Sequence, residues 1–273
     1  MSLTPNVAIV MPVFNCQRYI RAAIESVLRQ TYSDFTLYVF NDGSTDATRE
    51  VVQSISDPRL RLINNSRNQG GSAIRQYAIT TLDEEWIAYL DADDVARPDR
   101  LEKQRAMIAA NPKLVAVGSA LECIDERGHR LGFRRYPLRA DEIRRRLPME
   151  NCVAHPAVFF HRPSALRAGG YHADVDGAED YSLWLRMACL GDIENHPEPL
   201  TLYRLHAAQF KSRQTRQQIR QTLKTRLEAR RLGYPVSLRF WATWVALAAL
   251  LMLPVSIVIW FFRRRTLETE QQA

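Results

Sequence analysis

Short apolar, β-branched runs alternate with segments of helical periodicity from Val7 to Val117, and this alternation leaves few folds open. Val7-Ala8-Ile9-Val10-Met11, ended by Pro12, reads as a strand buried on both faces. From Arg18 to Gln30, apolar residues recur at Ile20, Ala23, Ile24, Val27 and Leu28, which is helical spacing. Phe35 to Phe40 is strand-like and stops at the turn residues Asn41-Asp42-Gly43-Ser44, before a helix through Val51 and Val52. Leu60 to Ile63 then reads as a strand, Gly71 to Leu82 as a helix, and Trp86 to Leu90 as a strand ending at Asp91-Ala92-Asp93-Asp94. Pro98 suits the first turn of a helix running to about Ala110, and Leu114 to Val117 is a further apolar run. Such alternation predicts an α/β fold with a Rossmann-like, mostly parallel sheet covered by helices on both faces. From about Leu131 to Leu205 the pattern is less regular, and no strand order can be read from it.

At 273 residues the chain has room for one dominant core and an appendage. The appendage is set apart by charge. Between Lys211 and Arg265 there are twelve Lys and Arg against one acid, Glu228, or +11, which leaves −4 for the remainder of a chain whose net charge is +7. A nucleic-acid enzyme carries its basic surface where the chemistry is done, because phosphate neutralisation drives binding, so nucleic acid is not an expected partner. Arg213 to Leu232 reads as a basic amphipathic helix. Phe240 to Phe262 is a stretch of twenty-three residues without a charge, closed by Arg263-Arg264-Arg265. At about 1.5 Å per residue such a stretch is long enough to cross a hydrocarbon core of about 30 Å, and its basic flanks suit anionic lipid. Trp241, Trp244 and Trp260 lie near its ends, where interfacial aromatics are expected. Pro254 offers an alternative, a broken pair of helices lying at the surface. The start, Met1 to Asn6, carries no secretory signal, so the expected location is the cytoplasmic face of the inner membrane, with attachment through residues 240–262. Cys16, Cys123, Cys152 and Cys189 are far apart and form no zinc or redox pair; buried free thiols are the expectation.

Ligands of an open α/β sheet bind beyond the carboxyl ends of its strands. Asp42 follows one predicted strand, and Asp91 and Asp93 follow another, so their carboxylates should converge on one rim. Each alone is compatible with an ordinary turn. Two acids at alternate positions followed by a third, Asp94, are poor turn design because like charges repel. Around a hard cation that bridges substrate phosphates they make sense.

Pro12-Val13-Phe14-Asn15, Asn41-Asp42-Gly43-Ser44-Thr45-Asp46, Arg67-Asn68-Gln69-Gly70, Asp91-Ala92-Asp93-Asp94 and Glu179-Asp180 stand in the order and rough spacing of the family 2 glycosyltransferases, which this sequence resembles from about Val7 to His206. Each motif is common; the ordered set is specific. The resemblance implies a GT-A fold and an inverting transfer from a nucleotide diphosphate sugar, a UDP-sugar foremost, to a glycan or lipid-linked glycan in surface-polysaccharide or lipopolysaccharide synthesis. It implies a divalent metal, Mg2+ or Mn2+, on Asp93, with His206 as a second candidate ligand. By position, Asp42 would hold the base or ribose and Asp91 the nucleoside or phosphate side. Pro12, Asn15, Asn68 and Gly70 would complete the nucleotide-sugar site. Asp180 would be the base that takes the acceptor's proton, with Glu179 and Trp184 on the acceptor side. His155-Pro156 and Tyr203-Arg204-Leu205-His206 match more loosely. One departure is Asn41, where many members carry a second Asp. The implied organisation is a catalytic domain over 1–210, with its nucleotide-sugar half over about 1–120 and its acceptor half over about 121–210. A basic helix over 211–239, a membrane segment over 240–262 and a tail over 263–273 follow.

A dinucleotide-dependent oxidoreductase needs a glycine-rich turn after the first strand, and Pro12-Val13-Phe14-Asn15 has none. A nucleotidyltransferase needs a glycine- and lysine-bearing phosphate loop near the N-terminus, which is also missing. A tethered glycan-binding protein that kept the fold and lost the reaction is the non-enzymatic alternative. Retention of Asp93 and Asp180 argues against it.

Overall fold

The computed structural model describes residues 7–172, 175, 177–206, 212–254 and 257–258. Among these residues nine strands form one sheet in the order β3-β2-β1-β4-β8-β6-β9-β5, with β7 added beside β6. The strands are β1 Val7–Val13, β2 Phe35–Asn41, β3 Leu60–Asn64, β4 Trp86–Tyr89, β5 Val95–Ala96, β6 Leu114–Ile124, β7 Arg130–Arg134, β8 Phe159–His161 and β9 Asp192–Arg204. From β3 to β4 the pairing is parallel, whereas β8 runs antiparallel to both β4 and β6, and β6 and β9 are parallel again.

Strand alternation explains why both faces are covered. Ala8 and Val10 of β1 point into a core with Ile74, Ala78 and Ile79 of α3 (Gly71–Thr81) and with Trp184 of α7 (Glu179–Met187). Val7, Ile9 and Met11 point the other way, onto Ile20, Ile24 and Val27 of α1 (Ile20–Leu28) and Leu101 of α4 (Arg100–Ala110). Each of the Val, Ile, Leu and Met side chains among them contributes about 1.5–3 kcal/mol on burial, and the helical periodicity read in the sequence is the packing face of each helix.

Three expectations along the sheet need correction. Pro12 does not end β1; it pairs with Phe40 of β2 within the strand. Val10 accepts from Leu90 on the β4 side, so Pro12, two residues on, presents its missing N–H where β4 has already ended. Pro98 is not in the first turn of α4, which begins at Arg100 after Asp99; its carbonyl instead accepts from Thr31 N at 2.8 Å. The apolar run at Leu114 extends to Ile124 because β6 lies between β8 and β9 and its small residues Gly118-Ser119-Ala120 admit close neighbours. A Cβ on Gly118 would sit 2.1 Å from Asn195 Oδ1, and Asn195 Nδ2 donates to Pro137 O (2.6 Å) and Cys152 O (2.9 Å). The irregular stretch resolves into β7, α5 (Ala140–Arg146), β8, α6 (Arg162–Arg167), α7 and the thirteen-residue β9.

The C-terminal part is a helical hairpin. The basic helix α8 (Ser212–Arg231) docks on α7 through Glu228, which accepts from Ser182 Oγ at 2.8 Å and pairs with Arg186 at 3.4 Å. Gly233, with φ 83°, caps α8 and turns the chain toward α9 (Leu238–Ala249). Trp244 Nε1 donates to Leu223 O (3.2 Å) and Arg226 to Thr243 O (3.1 Å), so α9 folds back along α8. Among the described residues the expected segment is not one continuous helix. α9 has twelve residues, about 18 Å at 1.5 Å per residue, and gives way to a 3-10 turn at Leu250–Met252 ahead of Pro254. No helix among the described residues is long and apolar enough to cross a membrane. Residues 255–256 and 259–262 of the expected segment lie outside the described residues.

Candidate active site

The loops after β1, β2, β3 and β4 meet at the carboxyl edge of the sheet. Asn15, from the loop after β1, is the one non-glycine residue at positive φ (51°) among the described residues, a conformation that Asn tolerates better than most side chains. Its Oδ1 accepts from Thr45 N at 2.8 Å and its own N–H donates to Ser44 Oγ at 3.0 Å, which ties the loop after β1 to the loop after β2. Asp42, 4% exposed, accepts from Gln69 N and Gly70 N, both at 2.9 Å, and from Asn65 Nδ2 at 2.9 Å. Its carboxylate therefore braces the loop that carries Asn68 and Gly70. Asp42 is thereby enclosed, and the Gln69 and Gly70 amides face its carboxylate. Gly43 makes the turn possible. Its φ is 71°, and a Cβ there would meet the Arg67 backbone at 2.8 Å. Asn41, the departure from the family pattern, donates to Asn64 Oδ1 at 2.9 Å and accepts from Ser44 N at 3.2 Å, so its amide serves as donor and acceptor at once.

The Asp91-Ala92-Asp93-Asp94 turn is fastened to the end of β9. Arg204 donates through Nε to Asp93 O (2.8 Å), and its N–H donates to Asp94 Oδ1 (2.8 Å). His206 Nε2 lies 2.8 Å from Asp93 Oδ2, across 113 residues of sequence, and its ring stacks on Tyr19 at 6.1 Å. Asp94 is fully buried, and burial beside Asp91 and Asp93 holds its carboxyl well above the usual carboxylate range.

Arg75 of α3 joins this turn to the second pair of acids. It lies 3.6 Å from Asp91 Oδ1 and 2.7 Å from Glu179 Oε1, so acids 88 residues apart (179 minus 91) share one guanidinium. Sequence reasoning missed it. The signal was present, since Arg75 is the single charge in Gly71–Thr81, directly after the Arg67-Asn68-Gln69-Gly70 motif. Glu179 also accepts from Gly177 N at 2.7 Å and is therefore directed at Arg75 and its own loop. Asp180, next along at the start of α7, accepts from Asn151 Nδ2 at 2.9 Å. Burial and the Glu179 charge push its carboxyl up to about 6, while the Tyr181 amide, Asn151 and Arg75 hold it down. A carboxylate titrating near 6 is a usable base at neutral pH.

Trp184 does not belong to the acceptor side. It is 0% exposed, packs on Phe160 and His155, and is a core residue of α7. His155, held neutral by burial, lies 3.0 Å from Tyr171 Oη and is structural too. The cysteines are free, and Cys189 is exposed rather than buried.

Among the described residues no three His, Cys, Asp or Glu side chains form a metal-holding group. Asp93 and His206 offer one carboxylate and one imidazole side by side. That pair fits a hard divalent cation of the kind held by one or two protein ligands and completed by substrate phosphates.

A sequence model described as glycosyl transferase family 2 matches residues 8–169, more than half of the chain. The O-antigen biosynthesis glycosyltransferase WbnJ of Escherichia coli is 33% identical over 210 residues, 73% of this chain and 80% of that one. The UDP-Glc:alpha-D-GlcNAc-diphosphoundecaprenol beta-1,3-glucosyltransferase WfgD of the same species is 39% identical over 105 residues, 38% of this chain and 42% of that one. Among solved structures, the mannosyltransferase PcManGT of Pyrobaculum calidifontis, in complex with GDP-Man and Mn2+, superposes with a TM-score of 0.62 at 18% identity, over 96% of this chain and 81% of that one.

Proposed function

The chain belongs to glycosyl transferase family 2, and on that premise we propose that it transfers a sugar, with inversion, from a nucleotide diphosphate sugar to a hydroxyl of a glycan or lipid-linked glycan in surface-polysaccharide assembly. The observation that carries this reading is the gathering of Asp91, Asp93, Glu179 and Asp180 around Arg75 and His206. One end of that cluster suits a phosphate-bridging cation, and the other ends in a carboxyl poised to accept a proton.

Asp180 takes the proton of the acceptor hydroxyl as its oxygen forms a bond to the anomeric carbon. The bond from that carbon to the phosphate oxygen breaks on the opposite face, and the nucleoside diphosphate leaves. Arg75 keeps Glu179 and the start of α7 in register with the Asp91 turn, which holds the base at a fixed distance from the donor. A Mg2+ or Mn2+ held by Asp93 and His206 would supply charge stabilisation to the departing diphosphate; the Mn2+ complex of PcManGT supports that choice. The loops joined by Asn15 and Asp42 shape the nucleoside pocket. WfgD, whose name gives a UDP-sugar donor and a diphosphoundecaprenol-linked acceptor, supports a UDP-sugar and a lipid-linked acceptor. Release of free nucleoside diphosphate on incubation with a panel of nucleotide sugars and a divalent metal tests the reading; no release with any donor would overturn it.

The location we propose is the cytoplasmic face of the inner membrane, reached through the α8–α9 hairpin lying at the lipid surface. Leu238 (90% exposed), Val245 and Met252 are exposed apolar side chains beside a strongly basic helix. That combination suits an interface of acyl chains and anionic headgroups.

A further inference from the structure

Arg134, at the end of β7, is half-buried and has no acid partner among the described residues. It pairs with Leu121 of β6, while Tyr203 of β9 pairs with Cys123 of β6. Leu121 and Cys123 lie two residues apart on one strand and share a face of the sheet, so Arg134 and Tyr203 share it as well. The guanidinium carbon lies 5.6 Å from the centroid of the Tyr203 ring. Leu121, Ala154 and Ala157 form the floor beneath, with Tyr136 packed against them.

The titratable neighbours of Arg134 are Tyr136, Tyr203 and Cys123, and each is protonated at neutral pH because burial raises it. No carboxylate among the described residues pairs with Arg134. Arg75, by contrast, is matched by Asp91 and Glu179. Tyr203 directly precedes Arg204, which donates to Asp93 O and Asp94 Oδ1 at 2.8 Å each, and Ala154 of the floor lies three residues after Asn151, which donates to Asp180 Oδ2 at 2.9 Å, so the cluster adjoins both acidic groups of the candidate active site. A cation partly withdrawn from water gains most from an anion that arrives with the ligand, and a guanidinium suits phosphate oxygens in particular. The two phenols add hydrogen-bond donors beside it.

We propose that Arg134, with Tyr136 and Tyr203, forms an acceptor subsite for a phosphate or diphosphate group carried by the acceptor. The inference rests on the transferase reading and deepens it. Tyr136 packs on Ala154, close in sequence to the Asn151 that holds Asp180, so the subsite lies on the side where the acceptor hydroxyl is deprotonated, while the donor diphosphate is assigned to Asp93. The anion could come from a lipid-linked carrier or from a free phosphate compound, and the probes separate these.

The full-length protein, saturated with UDP and metal, is titrated with decyl diphosphate, with inorganic pyrophosphate and with neutral decyl glucoside. The expected result is that decyl diphosphate binds about tenfold or more tightly than decyl glucoside, that R134Q abolishes this preference, and that R134K keeps part of it. UDP affinity stays within about twofold in both variants, which also reports that they are folded. Pyrophosphate binding as tightly as decyl diphosphate assigns the subsite to the phosphate group alone; weaker binding assigns it to a lipid-linked acceptor. Equal binding of decyl diphosphate and decyl glucoside to the unaltered protein overturns the assignment, as does a preference that survives R134Q. A parallel loss of UDP affinity in R134Q would move Arg134 to the donor side and overturn it too. If the unaltered protein binds neither UDP nor GDP, the transferase reading fails instead; if it binds GDP alone, GDP replaces UDP throughout the titration.

Discussion

Asp180 is held between opposing influences, and its chemistry follows from the balance. Burial and Glu179 disfavour its charged form, whereas the Tyr181 amide and Asn151 favour it, with the result near 6. A base must be deprotonated to work, so kcat/KM should fall as pH drops through about 6 and level off above it. A pH–rate profile checks this, and an acid limb near 4 would mean that another group limits the reaction. Asp180→Asn should keep donor affinity within about twofold while transfer falls about 10²–10⁴-fold, because the base acts in the transition state rather than on the bound donor. Calorimetry with the donor beside a turnover assay separates the two. If affinity falls with turnover, Asp180 belongs to donor binding. Asp93→Asn should behave differently, with the fold retained and metal-dependent donor binding weakened along with turnover, since an amide is a poorer ligand for a hard cation. Asp91, Asp93 and Asp180 were legible in the sequence because acids at strand ends and at a helix start are visible as pattern. Their partners Arg75 and Asn151 were not, and His206 entered only through the family resemblance, because it meets Asp93 across 113 residues and nothing local to either announces the contact.

At the scale of elements, α3 and α7 are coupled through Arg75 rather than through apolar packing alone. Arg75→Met should leave Asp91 and Glu179 without their shared counter-charge and destabilise the protein by about 3 kcal/mol, measured by urea unfolding at neutral pH. A change under about 0.5 kcal/mol would show that the acids are solvated well enough to do without it. The parallel strands β1 to β4 and their helices were legible because each carries its own period of apolar residues. Beyond Leu131 that signal weakens for a physical reason. β8 has three residues and β7 five, and β9 passes through His196-Pro197-Glu198-Pro199, where its pairing with β6 shifts register. For the apolar segment after Phe240, length and lack of charge suggested one span and Pro254 a broken helical pair; among the described residues the contacts of Trp244 and Arg226 fold the twelve-residue α9 back along α8. Hydropathy counts residues; it does not register a partner.

For the molecule as a whole, the charge division and the fold point the same way, with a mildly acidic catalytic body and a strongly basic hairpin at one end. The protein should sediment with vesicles containing about 30% anionic lipid and far less with neutral vesicles, and truncation after Arg239 should cut that binding while leaving UDP affinity unchanged. Equal sedimentation with both vesicle types, or none with either, would remove the lipid surface from the account. The central claim is the transfer itself, and the most direct measurement follows donor and product in one reaction. Purified full-length protein is incubated with a panel of nucleotide diphosphate sugars, a divalent metal and candidate glycan acceptors, and both nucleoside diphosphate release and the anomeric configuration of the product are recorded. The account predicts metal-dependent release with one donor class, an inverted linkage in the product, and loss of both in Asp180→Asn. Retention of configuration, or release that persists unchanged in Asp180→Asn, would contradict it.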